Sequence, residues 1–348
     1  PSLVRRAAER LGRARRPVIL AGAGVHRSGA WVELLRVAEA LQAPVFETAP
    51  GRGAIPNDHP LSVGGRWTGD PRLSRFLSDS DVLLAVGTRL GGGSTANWTL
   101  ELPPLIHLDV DPDVINLNYP ADVAIVGDAR VSLGQLYESL MDGGARSDGQ
   151  WAATARGLAE QVDAEMRAAH PIAMGVIDSL RAALDRDAIV TNDSLIQYWT
   201  ARHFPVYTPR SYHIPWIYGT LGTALPFAIG AAVAAPDRQV VAIGGDGAFM
   251  FTCGELATAI QAGANVVCVV CNDQGYNAMR RYQRLRYGDR IFASDLVTPD
   301  FAALAESFGA LGIRLQAPDE LEAALRTALA AKRVAVIDLP LSLDLPWR

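Results

Sequence analysis

The apolar residues of this chain gather in short unbroken runs, with stretches of helical spacing between them. Pro17-Val18-Ile19-Leu20-Ala21 runs into Gly22-Ala23-Gly24, and Val334-Ala335-Val336-Ile337 runs into Asp338. Gln239-Val240-Val241-Ala242-Ile243 leads to Gly245-Asp246-Gly247, and Val266-Val267-Cys268-Val269-Val270-Cys271 leads to Asn272-Asp273. Unbroken runs of this length suit parallel strands covered on both faces. Gly254 to Gly263 reads as a helix stopped by glycine, of the kind that crosses over between neighbouring parallel strands. The pattern predicts an α/β protein of two parallel-sheet, three-layer domains. The first covers residues 1–145, the stretch 146–165 reads as a linker, and 166–348 form the second domain. A short arginine-rich helix at 3–15 opens the first domain, Gly143-Gly144 and Ser147-Asp148-Gly149 mark its end, and a polar amphipathic helix at about 150–169 leads into the second.

Asp246 and Asp273 stand twenty-seven residues apart, each at the carboxyl end of an expected strand. Ligands of open α/β sheets bind beyond those ends. Mg²⁺ takes oxygen ligands at about 2.0–2.1 Å and keeps phosphate oxygens in its shell. The two carboxylates therefore suit one divalent metal and a phosphate group, and Gly245 and Gly247 let backbone N–H groups come close to it. Gly-Asp-Gly alone is equally a simple turn. The second strand, followed by Asn272-Asp273-Gln274-Gly275-Tyr276, shifts the reading to a metal-phosphate site.

Composition removes several alternatives. A chain of 348 residues is long enough for two cores, and 49% hydrophobic with 20% charged residues is ordinary for a globular protein. A net charge of −5 gives no electrostatic reason to expect nucleic acid or a membrane surface as partner. No apolar run reaches membrane-spanning length and no signal peptide is visible, so a cytoplasmic location is expected. Of the three cysteines, Cys253, Cys268 and Cys271, the last two have the spacing of a redox pair, yet lie inside an expected buried strand and read as core. Lys332 is the only lysine and precedes a strand, which argues against Schiff-base chemistry. The six histidines lack metal-ligand spacing, and His213 is the one to test for catalysis.

The Gly-Asp-Gly segment with Asn-Asp about twenty-five residues on resembles the motif of thiamine diphosphate-dependent enzymes. Trp216-Ile217-Tyr218-Gly219-Thr220-Leu221-Gly222-Thr223-Ala224-Leu225-Pro226 is similar to the glycine-rich segment of acetolactate synthases and benzoylformate decarboxylases. Residues 17–142 resemble the middle domain of the same enzymes, through Arg52-Gly53, Pro56-Asn57-Asp58-His59-Pro60 and His107-Leu108-Asp109-Val110-Asp111-Pro112. The resemblance implies that Asp246, Asp273 and the main-chain oxygen of Gly275 hold Mg²⁺. Many relatives have asparagine where this chain has Asp273. Gly245, Tyr276 and the N–H groups of Gly247 and Ala248 would serve the diphosphate, with Ser194 on its other side. Leu221 would be the apolar wedge that bends the cofactor, and the Gly219 carbonyl would accept from its 4′-amino group. Ala278 and Tyr282 fall where relatives line the substrate pocket. On the residues alone, Leu221 also reads as core, Ser194 as a helix cap, and Tyr282 as a surface aromatic in the solvated run Arg280, Arg281, Arg284.

The implied activity is decarboxylation or carboligation of a 2-oxo acid, of acetolactate synthase type. A benzoylformate-type decarboxylase and a non-catalytic nucleotide-binding module are the alternatives. The first domain carries a weak nucleotide hint in Gly22-Ala23-Gly24, with the third glycine displaced to Gly29. Relatives bind FAD or ADP there or leave the site empty, and Arg89 and Asp109 read equally as contacts to such a ligand and as packing and turn residues. Family members also have a pyrimidine-binding domain whose glutamate activates the cofactor, and no segment of this chain resembles it. Glu47 belongs by context to the middle domain and reads as structural, and Glu255 lies toward the diphosphate end. The activating domain is therefore expected from a missing N-terminal region or another subunit, in a homodimer or homotetramer, with this chain alone inactive.

Overall fold

The computed structural model describes residues 2–143 and 149–345. Among these, two six-stranded sheets occur, and every pairing between their strands is parallel. One compact unit holds the chain up to Glu165 together with Pro205–Arg210, and the other holds Met166–Phe204 and the chain from Ser211 onward. Residues 144–148, which include the start of the expected linker at 146, lie outside the described residues, and Gln150–Ala169 is one continuous helix. No helix among the described residues is long and apolar enough to cross a membrane.

The first unit is built on β1 (Pro17–Ala21), β2 (Val45–Glu47), β3 (Ser62–Gly64), β4 (Val82–Val86), β5 (Leu105–Asp109) and β6 (Val123–Val126), in the order β3-β2-β1-β4-β5-β6. β1 and β4 are buried at every position, as their unbroken apolar runs require. The order reverses between β1 and β4. There the backbones of Gly24 and Gly87 touch, because a Cβ on Gly24 would come within 2.5 Å of the Gly87 Cα. The Gly24 N–H donates to the Gly87 carbonyl at 3.0 Å, and the Gly22 N–H to Val86 at 2.9 Å.

The second unit is built on β7 (Ile189–Asn192), β8 (Tyr212–His213), β9 (Val240–Gly245), β10 (Val266–Asn272), β11 (Leu311–Arg314) and β12 (Ala335–Pro340), in the order β11-β12-β10-β9-β7-β8. Its core stacks Ala224, Leu225, Ala228, Leu256, Phe301 and Ala305 from the flanking helices against Val240, Ala242, Val266, Cys268 and Val336 from the sheet. β9 and β10 run in register from Val240↔Val266 to Gly245↔Cys271, which brings Asp246 and Asp273 out at the same edge. The strand order reverses between β7 and β9, and such a reversal opens a crevice at the carboxyl edge. The crossover from β9 to β10 holds two short helices, Asp246–Thr252 and Glu255–Gln261, rather than one. Gly-Asp-Gly thus opens a helix directly at the strand end, where the sequence pattern indicated only a turn.

Candidate cofactor site at the carboxyl edge of the second sheet

A cleft of about 330 Å³ lies at this edge of the second unit. Ser194 reaches it from the end of β7, Gly219 and Leu221 from the glycine-rich segment, and Gly245 to Ala248 from the end of β9. Asp273, Gly275 and Tyr276 reach it from the end of β10, and Ala278 and Tyr282 from the helix Asn277–Tyr287. All twelve residues singled out from the sequence as cofactor-, metal- or substrate-facing therefore border one space. His213 and Glu255 are not among its lining residues. His213 forms part of β8, and Glu255 opens the second crossover helix.

Asp246 is 1% exposed and sits in the first turn of its helix, where N–H groups favour a carboxylate. Its Oδ1 accepts from the Gly247 N–H at 2.7 Å, and its Oδ2 from the Gly275 N–H at 3.2 Å. Each carboxylate oxygen keeps a further lone pair for another partner. Burial raises the Asp246 pKa against these hydrogen bonds. Asp273 is pushed up to about 6, by burial first and by the charge of Asp246 second. The Asn277 amide donates to Asp273 Oδ2 and also to Ser342 Oγ, the latter at 3.0 Å.

The loop between the two carboxylates is braced by a residue the sequence pattern left on the surface. Arg280 is not part of a solvated face: its side chain is 17% exposed. Its Nη2 donates to the Gln274 carbonyl at 2.8 Å and its Nε to Asp295 Oδ1 at 2.9 Å. The guanidinium passes so close to Gly275 that a Cβ there would meet Nη2 at 2.2 Å. Two backbone bonds, Tyr276 N–H to Ser294 and Leu296 N–H to Gln274, zip the loop to residues 294–296. The neighbouring arginines Arg280, Arg281 and Arg284 look alike in sequence, and only the fold separates the first from the exposed Arg284.

The donors present fit a hard divalent cation carrying a diphosphate. Among the described residues no group of three or more His, Cys, Asp or Glu side chains could hold a metal alone. Two carboxylates plus a main-chain oxygen leave further positions for ligand and water oxygens, as Mg²⁺ prefers. Cys268 and Cys271 are free and buried in β10 as ordinary core, and burial pushes both thiols up. In the first unit, Glu47 is fully buried and structural. It pairs with Arg52 Nη1 at 2.7 Å and also accepts from the Gly53 N–H and the Asn57 amide.

Comparison with known proteins agrees with this geometry. Residues 4–136 match the thiamine pyrophosphate enzyme central domain, and residues 195–339 the thiamine pyrophosphate enzyme C-terminal TPP-binding domain. The chain is 33% identical to a probable acetolactate synthase large subunit of Methanococcus aeolicus, over 97% of this chain and 60% of that protein. It is 34% identical to a probable 2-ketoarginine decarboxylase of Pseudomonas aeruginosa, again over 97% and 60%. It is 32% identical to the acetolactate synthase isozyme 3 large subunit of Escherichia coli, over 95% and 59%. The chain thus spans about three fifths of the length of the curated relatives it matches. With these two matched domains and relatives at 32–34% identity over nearly the whole chain, the chain belongs to the thiamine pyrophosphate enzyme family.

Proposed function

We propose that this chain forms the diphosphate- and metal-binding part of a thiamine diphosphate- and Mg²⁺-dependent enzyme that decarboxylates or carboligates 2-oxo acids, of acetolactate synthase type. The observation that carries the proposal is the convergence of Asp246, Asp273, the Gly245–Ala248 turn, Gly219 and Leu221 on one cleft of a matched TPP-binding domain. Thiamine diphosphate, when bound, supplies the nucleophilic carbon and the electron sink for loss of CO₂ from a 2-oxo acid. Asp246, Asp273 and the Gly275 carbonyl hold the metal. The turn at Gly247 and Ala248 takes the diphosphate, with Ser194 opposite. Gly219 would offer its carbonyl to the pyrimidine amino group, and Leu221 would supply apolar support to the cofactor's ring end. Tyr276 closes the diphosphate side, while Ala278 and Tyr282 bound the substrate and help exclude water.

A second protein surface belongs to the proposal. The helix Asn277–Tyr287 has no buried residue, and Tyr218, Phe251, Leu285 and Phe292 are exposed in the same unit. Such exposed apolar surface is available to a covering domain. It suits a pyrimidine-binding domain, from elsewhere in the whole protein or from another subunit of a homodimer or homotetramer, which would supply the activating carboxyl group. A cytoplasmic setting is proposed with it, since Cys253, Cys268 and Cys271 are free, as suits a reducing compartment. The proposal does not extend to FAD. The N–H groups of Gly22 and Gly24 are taken by main-chain carbonyls, Arg89 is exposed, and Asp109 Oδ1 accepts from the Asp111 N–H at 3.0 Å.

The similarity to a 2-ketoarginine decarboxylase favours non-oxidative decarboxylation as the second reading. Product analysis of the whole protein with pyruvate and with benzoylformate separates the two. Acetolactate from pyruvate supports carboligation, and aldehyde alone supports the decarboxylase. The chain by itself is expected to turn over little pyruvate. Robust decarboxylation by residues 1–348 would contradict the division of labour proposed here.

A further inference from the structure

Asp193, the residue after β7, is a third buried carboxylate in the second unit, at 2% exposure. Its Oδ1 accepts from the Ser194 hydroxyl at 2.9 Å, and its Oδ2 accepts from the Ala224 N–H at 3.1 Å. The N–H groups of Gly222 and Thr223 are turned to it as well. The helix Ala224–Ala234 begins here, and its own N-cap residue, Thr223, contributes no side-chain cap. A helix start exposes N–H groups that need acceptors, and a carboxylate is the best of them. Asp193 caps this helix from a neighbouring strand. β9 makes room for it: a Cβ on Gly244 would lie 2.3 Å from Asp193 Oδ1.

The carbonyl side of the same segment is tied down too. Thr252 Oγ1 donates to the Gly222 carbonyl at 2.9 Å, and Thr191 Oγ1 to the Ala224 carbonyl at 2.7 Å. Gly222 to Ala224 are thus held on both edges of the backbone. The residues immediately before them, Gly219 and Leu221, border the cleft.

We propose that Asp193 is a positioning residue: by capping the helix at Gly222–Ala224 it sets the Gly219 carbonyl and the Leu221 side chain in place before the cofactor arrives. The inference rests on the thiamine diphosphate reading given above. It assigns the two ends of the ligand to separate carboxylates. Asp246 and Asp273 serve the metal and diphosphate, and Asp193 serves the ring end through the loop.

The test is calorimetry on the full chain with Mg²⁺, using thiamine diphosphate and inorganic diphosphate as probes. Asp193→Ala is expected to weaken thiamine diphosphate by about tenfold or more, and inorganic diphosphate by less than about threefold. Asp193→Asn keeps an acceptor oxygen for the three N–H groups and is expected to bind thiamine diphosphate within about threefold of the parent chain. Equal losses for both probes in the alanine variant, or an asparagine variant as weak as alanine, would overturn the proposal. Failure of the underlying reading looks different, because Asp246→Ala would then leave both probes unaffected. Should the alanine variant not fold, hydrogen exchange on the parent chain decides. The amides of Gly222, Thr223 and Ala224 are expected to be protected without ligand. Free exchange there until thiamine diphosphate is added would contradict a loop set in advance.

Discussion

Glu47 and Asp246 both lie buried at the carboxyl end of a parallel strand, and the chain treats their charges in opposite ways. Glu47, the last residue of β2, has Arg52 at 2.7 Å and further donors from Gly53 and Asn57. Its charge is matched within the first unit, and the cluster is a closed structural knot. Asp246 has N–H donors but faces a second carboxylate, Asp273, and burial raises both. Arg280 offsets part of this charge while its hydrogen bonds go to Gln274 and Asp295. A buried carboxylate with its own cation marks a scaffold, whereas a buried pair, both raised by burial and one of them further by its neighbour's charge, marks a place for an outside cation.

Cutting the knot should give the largest change in stability. Arg52→Ala leaves Glu47 buried without its cation, and is expected to cost about 3–5 kcal/mol in urea unfolding. A cost below about 1 kcal/mol would erase the distinction drawn between the two strand ends. Removing Arg280 should act locally. Arg280→Ala is expected to speed hydrogen exchange at the Tyr276 and Leu296 amides by about tenfold, since charge-assisted bonds to the loop are lost. Unchanged exchange there would show that the backbone zipper alone sets the loop.

The metal pair should respond in the opposite direction to the knot. Asp273 is raised from its ordinary 3.8 to about 6, so its contribution favours the folded chain below about pH 4. That contribution is lost as pH rises through 6. Metal-free Asp273→Asn is therefore expected to melt a few degrees above the parent at pH 8, by about 2–4 °C, and to show no gain at pH 4. A lower melting point at pH 8 would contradict the charge account. The smallest effect concerns His26 and His107, whose pKa values burial lowers. Depressed histidines leave stability intact above the unfolded value near 6.5 and remove it as pH falls below. His107→Gln should flatten the acid side of the stability curve by about 1 kcal/mol or less. An unaltered pH profile would place the acid sensitivity elsewhere.

The strands β1, β9, β10 and β12 were legible because unbroken apolar runs such as Val266 to Cys271 admit few other structures, whereas the short, half-exposed β11 carries no such run. The metal pair was legible for the same reason, since strand ends fix where Asp246 and Asp273 emerge. Arg280 and Asp193 were not. Arg280 shares a sequence run with Arg281 and Arg284, and only the return of residues 294–296 to the loop half-buries it. Asp193 reads as one polar residue among Asn192 and Ser194, because its partners at Gly222 to Ala224 lie about thirty residues on. The helix opening at Asp246 was hidden by its glycines, which suit a turn equally well in isolation.

The central claim is that Asp246 and Asp273 bind the metal through which this chain holds a diphosphate. Titration of the full chain with thiamine diphosphate, with and without Mg²⁺, tests it most directly when repeated on Asp246→Ala. The account predicts weak binding by the parent chain that requires Mg²⁺ and falls by about a hundredfold or more in the variant. Equal binding with and without the metal, or an affinity untouched by Asp246→Ala, would contradict it.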